Sequence, residues 1–476
     1  MNKKVILLLL FVITALQYSE ARVYLGAPFG DGMVLQRETK ANLWGKAEPG
    51  STVTLVASWN YKEYYTKADN NGKWSIAIPT PKAGFSPYSI TLNDGTTPLV
   101  VRNVLIGEVW FASGQSNMEM PLSGWDKCPI TNSAAVLAAT AKYSGKLHYA
   151  YVKPTVAKDP IDSIGIVWKN STPDDMKIFS AVAYYFATTL IDKLQVPVGI
   201  LFSSYGGSNV EAWIPRNVIE TYSDVNLNDS IFKKMDQHVP TVLYNAMLKP
   251  FIGYTLKGFI WYQGESNVGF CRDSYAKHFS DMIITWRKEW KQGNLPFYYV
   301  EIAPYKYNGP NNTQAAFLRY QQFKAQHMAK KIGMVGTNDC VTAKENTQIH
   351  PANKQPIGLR LANWALANDY KLDNINYKHP AFKSLSIKGH RAYLSFSNVD
   401  NGYNLQQGIQ GFEVCGSDSV FKPAKAVVKE KKIMVSSSEV DVPVAVRYCF
   451  KNFQKGNLAN KEGLPVIPFR TDSFEK

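Results

Sequence analysis

Apolar and polar positions alternate along this chain in three successive styles. From residue 22 to about 103 the pattern has a period of two. "ANLWGKAEPGSTVTLVAS" alternates and breaks at Glu48-Pro49-Gly50, and "ADNNGKWSIAIPT" sets Asn71-Gly72 ahead of the next alternating run. Such runs predict short strands, with Asn-Gly as a hairpin turn. No helical period interrupts them, so this stretch reads as a small β-sandwich of Ig-like or jelly-roll type. From about 104 the pattern changes. Near-continuous apolar runs, "VLIGEVWFA", "VPVGILFSS", "LKGFIWY", "PFYYVEI" and "KIGMVGT", alternate with "AVAYYFATTLIDKL", "SYAKHFSDMIITWRKEW" and "AAFLRYQQFKAQHMAKK", whose apolar residues recur at helical spacing. That alternation predicts an α/β unit with a parallel sheet covered on both faces. After about 380 strand patterning returns in "KSLSIKGHRAYLSFS", "KAVVKEKKIMVSSS" and "VPVAVRYCF", predicting a second β module.

The first residues follow a different logic. Lys3 and Lys4 precede "VILLLLFVITAL", and Ser19 and Ala21 follow at a spacing of two. A basic start, an apolar stretch and a small-x-small site predict a removed signal peptide over 1–21, and hence an exported protein, periplasmic or secreted. The apolar run is too short to cross a bilayer of about 30 Å, and no second long apolar segment follows, so no membrane span is expected after cleavage. The expected organisation is therefore 1–21 signal peptide, 22–103 β-sandwich, 104–375 catalytic α/β domain and 376–476 β module.

Composition adds little. The 27 Tyr, 23 Phe and 11 Trp suit sugar-stacking surfaces and large β cores equally well. The net charge of +15 is spread along the chain, with no basic run dense enough for nucleic acid. The five cysteines make no disulfide framework, although Cys415 and Cys449 lie close enough in sequence to pair. There is no CxxC or HExxH, so neither a metal nor any other cofactor is expected.

Ligands of a parallel α/β sheet bind beyond the carboxyl ends of its strands. Here those ends read "SGQSNMEM", "SSYGGSNVEAW", "QGESN" and "NTQIHPANK". Together they hold a serine, paired glycines, an Asn beside an acid, and a histidine: a nucleophile, oxyanion donors and a base, which is the inventory of acyl transfer.

"VLIGEVWFASGQSNMEMPL", "YGGSNVEAW", "IWYQGESN" and "IHPANKQPIGLRLA" resemble the sialate O-acetylesterases, within the SGNH hydrolase superfamily. "MVLQRETKANLWGKAEPG", "GKWSI" and "LPVIPFRTD" extend the resemblance over nearly the whole chain. It implies an SGNH-type, flavodoxin-like parallel sheet with helices on both faces. It also implies hydrolysis of O-acetyl groups, at the 9-position by the family's name, from sialic acids or sialoglycans. Ser116 is the implied nucleophile and His350 its base, with Ser116, Gly207 and Asn267 as oxyanion donors and Gln115 and Glu265 as loop supports. Ser113 is left to turn geometry. Superfamily members often carry an Asp three residues before the histidine, related esterases one two before; Thr347 and Gln348 stand here. Three readings stay open: another carboxylate (Glu265 or Asp339, with Glu345 also near in sequence), a Gln348 oxygen or backbone carbonyl serving a Ser–His dyad, or reduced activity. Trp213 and Trp125 are candidate sugar platforms. Arg216 is a candidate partner for a substrate carboxylate, and Lys354 reads better as a solvated surface charge. The alternatives are an acetylxylan-type esterase on plant glycans and a non-catalytic carbohydrate-binding protein with a decayed hydrolase core.

Overall fold

The computed structural model describes residues 23–404 and 408–474. The expected signal peptide, 1–21, lies outside the described residues. No helix among those described is long and apolar enough to cross a membrane.

The centre is a mixed sheet with a parallel core. Its strands are β1 (Leu99–Gly114), β2 (Leu147–Tyr151), β3 (Val198–Ser204), β4 (Gly258–Tyr262), β5 (Phe297–Val300) and β6 (Ile332–Val335), in spatial order β2-β3-β1-β4-β5-β6. Every neighbouring pair in that row is parallel, and Trp168–Asn170 closes the β2 edge antiparallel. Side chains of a strand alternate between faces, and here both faces are dry. Phe111, Leu201, Trp261 and Tyr299 enter one core; Trp110, Phe202, Ile260 and Tyr298 enter the other.

Four helices serve these cores. Helices α2 (Ala181–Leu194) and α5 (Gln355–Asn368) cover the Trp110 face, and α3 (Tyr275–Trp290) covers the Phe111 face. Helix α2 starts where the Ser180 hydroxyl accepts the Ala183 N–H at 3.0 Å, and stops at Gln195 in a left-handed conformation. Helix α4 (Gln314–Ala325) begins under Asn452, whose Oδ1 accepts the Ala315 N–H at 2.8 Å. That bond ties the C-terminal strands to the sheet-covering layer.

The N-terminal strands fall into two sheets. Tyr24–Leu25, Lys40–Lys46 and Lys73–Pro79 form one; Val34–Gln36, Thr52–Ala57, Glu63–Lys67 and Gly84–Asn93 extend the large sheet. The Asn71-Gly72 turn forms, with Asp69 Oδ1 accepting the N–H groups of Asn71 and Lys73, both at 2.8 Å. The expected hairpin does not follow from it. Glu63–Lys67 pairs with Thr52–Ala57, and Lys73–Pro79 pairs with Lys40–Lys46. A turn is chosen by local chemistry, whereas ladder partners are chosen by which face is buried. Strand β1 runs through position 103. Its first half pairs with Val34–Gln36 and Gly84–Asn93, its second half with β3 and β4.

The C-terminal strands make two four-stranded sheets and one two-stranded sheet around a core of their own. Cys415 and Cys449 do not pair; all five cysteines are free. The reason is register: Cys415 lies opposite Ala445, four positions along the ladder from Cys449. At about 3.4 Å per residue that separation is roughly 14 Å, beyond the reach of a disulfide.

Candidate active site

Strand β1 ends in a bend that needs glycine. Gly114 has φ 138°, and a Cβ there would sit 2.1 Å from the Tyr262 carbonyl oxygen at the end of β4. The next N–H, of Gln115, donates to that same oxygen at 2.9 Å. The Gln115 Oε1 accepts the N–H groups of Gly264 at 3.1 Å and Ser266 at 3.4 Å, joining the first loop to the QGESN loop. Ser116 then opens a single turn of helix, α1 (Ser116–Glu119), at the carboxyl edge of the sheet. The first N–H groups of a helix lack partners inside it, so that of Ser116 is available. Ser113 remains inside β1, buried, with its hydroxyl unpartnered.

His350 meets Ser116 directly, Nε2 to Oγ, at 2.8 Å. The Trp125 ring stands edge-on to the imidazole at 5.1 Å and remains partly exposed. On the far side, Nδ1 faces the Cys128 sulfur at 3.9 Å, and no carboxylate. Gln348 touches the backbone rather than the ring: its Oε1 accepts the His350 N–H at 3.2 Å, while its amide engages Lys127 and Cys128. Each expected acid is engaged elsewhere. Asp339 is gripped by both terminal nitrogens of Arg360, at 2.8 and 2.5 Å, and although burial works the other way, that grip holds its carboxyl below the usual range. Glu345 accepts the N–H groups of Thr342 at 2.6 Å and Ala352 at 3.1 Å, bracing the loop that carries His350. Glu265 accepts from Asn117 at 2.5 Å. Ser116 and His350 thus stand together with no carboxylate, Gln348 oxygen or backbone carbonyl bonded to the ring among the described residues; only the Cys128 sulfur lies beside Nδ1.

Asn117, which sequence reasoning passed over, is the hub beneath that dyad. Its Nδ2 donates to Glu265 and, at 3.0 Å, to the carbonyl of Ile349; its Oδ1 accepts from Lys354 Nζ at 2.5 Å. Lys354 is thus no surface charge: it is 1% exposed, and burial drives its pKa down to about 7. Burial, and then the Lys354 charge, likewise lower His350 to about 4. An imidazole so placed is neutral, and able to take a proton, across the whole neutral range.

The paired glycines divide their work. The Gly206 N–H donates to Glu119 Oε2 at 2.6 Å, and a Cβ on Gly206 would lie 3.4 Å from the Ser116 Cβ, so this loop leans on the nucleophile's helix. Gly207 has φ 76°, its carbonyl accepts the Ser266 hydroxyl at 2.8 Å, and its N–H makes no hydrogen bond among the described residues. Gln237, which no sequence motif singles out, overlies Gly207: its Nε2 is 3.1 Å from where a Cβ would be. Asn267 departs from expectation. Its Nδ2 donates to Glu211 at 2.9 Å and to the Phe270 carbonyl at 3.2 Å, and its Oδ1 accepts from Val210 and Gln263. Both amide hydrogens are engaged by these partners, which brace the loops around Asn267.

Behind it, Glu211, Cys271 and His278 bring ligand atoms within 4.8 Å of one another. The His278 nitrogens are already held, by Glu211 at 2.7 Å and Asp224 at 3.3 Å, and burial pushes the Cys271 thiol up to about 12. Glu211 and His278 are buried, Cys271 is half-buried, and Asp224 stands exposed at the edge of the group. Trp213 is fully buried, with Nε1 donating to the Ser208 hydroxyl at 3.1 Å; it packs against Trp261 and presents no platform to a sugar. Arg216 is exposed and paired with Glu220 at 2.8 Å, its guanidinium beside Phe232.

A serine against a neutral imidazole, beside unengaged backbone donors, is equipped for nucleophilic acyl transfer. The comparisons agree with that chemistry. Residues 106–367 match the family described as carbohydrate esterase, sialic acid-specific acetylesterase. The chain is 27% identical to the mouse sialate O-acetylesterase over 88% of its own length and 87% of the mouse protein, and 27% identical to the human one over 81% and 79%. Among solved structures, a carbohydrate acetylesterase from Xanthomonas citri is 33% identical, with a TM-score of 0.86, covering 95% of this chain and all of the other.

Proposed function

This chain belongs to the sialic acid-specific acetylesterase family of carbohydrate esterases, and from that premise we propose that it hydrolyses O-acetyl esters of sialic acids through a Ser116–His350 dyad. That it is a carbohydrate O-acetylesterase rests on the family match and its extent; the sugar and the roles of individual residues are our reading. The observation that carries it is the 2.8 Å contact between Ser116 Oγ and His350 Nε2 at the carboxyl edge of the sheet.

In the proposed sequence, His350 Nε2 takes the Ser116 proton as Oγ attacks the acetyl carbonyl. The tetrahedral oxyanion is met by the N–H groups of Ser116 and Gly207. The imidazolium returns its proton to the departing sugar hydroxyl, leaving an acetyl ester on Ser116. Water then gives a proton to His350 and attacks that ester, and the second collapse releases acetate and restores the hydroxyl. Among the described residues no carboxylate bonds to Nδ1 to steady the imidazolium. Gln348 and Glu345 fix the loop that bears it, while the Cys128 thiol fills the space beside Nδ1.

The SGNH assignment has support in topology. Leaving out β2, the parallel strands run second, first, third, fourth, fifth, which is the flavodoxin-like order. We also propose an exported enzyme, on the basic, apolar and small-residue pattern of 1–21.

A second reading, deacetylation of another glycan such as acetylated xylan, draws on the Xanthomonas citri relative, which is described only as a carbohydrate acetylesterase. Acetate release separates them: 9-O-acetylated sialic acid turned over in preference to acetylated xylan supports the first reading, and the reverse overturns it. Ser116→Ala abolishes release from whichever substrate is used, and an organophosphonate labels the parent chain at Ser116 stoichiometrically. Full activity in Ser116→Ala sinks the assignment of the nucleophile, and failure to label the parent supports a decayed core.

A further inference from the structure

The three-stranded N-terminal sheet carries a feature that the fold itself does not call for. In its register Tyr24 lies opposite Lys46, and Lys46 opposite Lys73, so two ammonium groups stand side by side on one face. Like charges directly across a ladder are destabilising. Lys249, arriving from the segment before β4, brings a third ammonium to the same cavity of about 540 Å³. Against these stands one carboxylate at the rim, Asp162, 2.9 Å from Lys73 Nζ and held below its usual range by that bond and by the charges of Lys46 and Lys249. Asp69 acts on Lys73 as well, but its Oδ1 is already taken by two backbone N–H groups. The cavity therefore keeps a surplus of positive charge.

Its walls are aromatic. Tyr24 is 61% exposed. Trp44, on the same face as Lys46, lies flat on bare backbone: a Cβ on Gly26 would fall 2.4 Å from its Nε1. Phe29 meets its ring edge-on at 4.6 Å and holds it in place. A volume of this size fits a sugar residue or two. Flat rings take the C–H face of a pyranose, and ammonium groups take a carboxylate as charge-assisted hydrogen bonds. None of the residues around Ser116 lines this cavity.

We propose that this cavity is a second, non-catalytic carbohydrate site that binds a carboxylate-bearing sugar residue, with Trp44 and Tyr24 against the ring and Lys46, Lys73 and Lys249 around the carboxylate. This rests on the proposed action on an acidic sugar: the cavity holds acidic residues of the same glycan whose acetyl groups the catalytic loops remove. Its use would be to keep an acidic polymer on the enzyme between one acetyl group and the next.

The test is calorimetric titration of the whole chain with oligogalacturonate, with α-linked oligosialate and with neutral xylo-oligosaccharide. At least one acidic oligomer binds, and the one that does identifies the acid; the neutral oligomer does not. Affinity falls at least about tenfold in Lys46→Gln/Lys73→Gln, as expected on losing charge-assisted bonds, and falls as salt is raised. Trp44→Ala weakens binding too. Hydrolysis of 4-nitrophenyl acetate stays at the parent value in these variants, and the melting temperature stays there in the double lysine variant, which separates this site from the catalytic one. Equal binding of the neutral oligomer, no binding of either acidic one, or unchanged affinity in the double lysine variant overturns the proposal.

Discussion

The imidazole of His350 faces the Cys128 sulfur at 3.9 Å, on the side where many serine hydrolases hold a carboxylate. Losing the triad Asp of a serine protease costs about 10⁴ in rate. Here no carboxylate among the described residues bonds to Nδ1. Cys128→Ala is expected to change kcat by less than about tenfold, since it removes only a filler beside the ring. A fall of several thousandfold would show that the thiol orients the imidazole in earnest.

The pH profile follows from the same setting. Burial, reinforced by the Lys354 charge, lowers His350 to about 4. Activity needs the neutral ring, so the acid limb of kcat/KM is expected near pH 4, well under the ordinary imidazole value of about 6.5. Stability has the matching sign. The unfolded chain takes up this proton first, so the folded state loses ground as pH falls from about 6.5 towards 4. Lys354→Met removes the repelling charge and moves the limb upward; a limb that stays in place would mean burial acts alone.

Glu119 supports Gly206 rather than substrate. Glu119→Ala is expected to lower kcat by about ten- to a hundredfold with little change in KM, since a loosened loop misplaces the Gly207 donor; removal of an oxyanion donor outright costs about 10²–10³. Glu119→Gln keeps an acceptor and loses less. Steady-state kinetics on one acetyl ester decide it, and an effect confined to KM would contradict this account.

Asn267→Leu leaves the buried Glu211 without one of its donors. The expected cost is about 1–3 kcal/mol of stability, read as a lower melting temperature. Were kcat to collapse while melting stayed at the parent value, Asn267 would have to be returned to the oxyanion.

Glu301, just after β5, is buried, and burial raises it to about 8 against the pull of Arg319 and the Thr337 N–H. The unfolded chain releases this proton near the ordinary glutamate value, the folded one only near 8. Stability is therefore lost as pH climbs between those values. Glu301→Gln cannot ionise, and its melting temperature is expected to decline less across that window.

Three of the loops that meet at the catalytic edge were legible because each directly follows a strand whose apolar run is unmistakable; the fourth brings His350 fifteen residues after the end of β6. Three of the helical runs appear where their periodicity puts them, as α2, α3 and α4. What the sequence concealed was side-chain direction. Lys354 looks like any lysine in a polar loop, yet the start of α5 turns it inward beneath Asn117. Trp213 follows a glycine loop at a spacing that suits a platform, but a short 3-10 turn (Val210–Trp213) rolls it into the core. Asn267 follows from the family resemblance and Asp339 from nearness to His350 in sequence, whereas their partners Glu211 and Arg360 come from other elements. Local patterns name the elements; partners across the sheet settle what each polar side chain faces.

Strand β1 makes the N-terminal sheets something other than an appendage. Composition changes near residue 103, and a cut there is tempting for anyone wanting a minimal catalyst. It would sever β1 five residues in and strip Val34–Gln36 and Gly84–Asn93 from the strand that aims Ser116. The shortened protein would begin with a frayed end at the middle of its own sheet, its exposed edge open to pairing with a neighbour. Trimming from that side trades a catalyst for an aggregate.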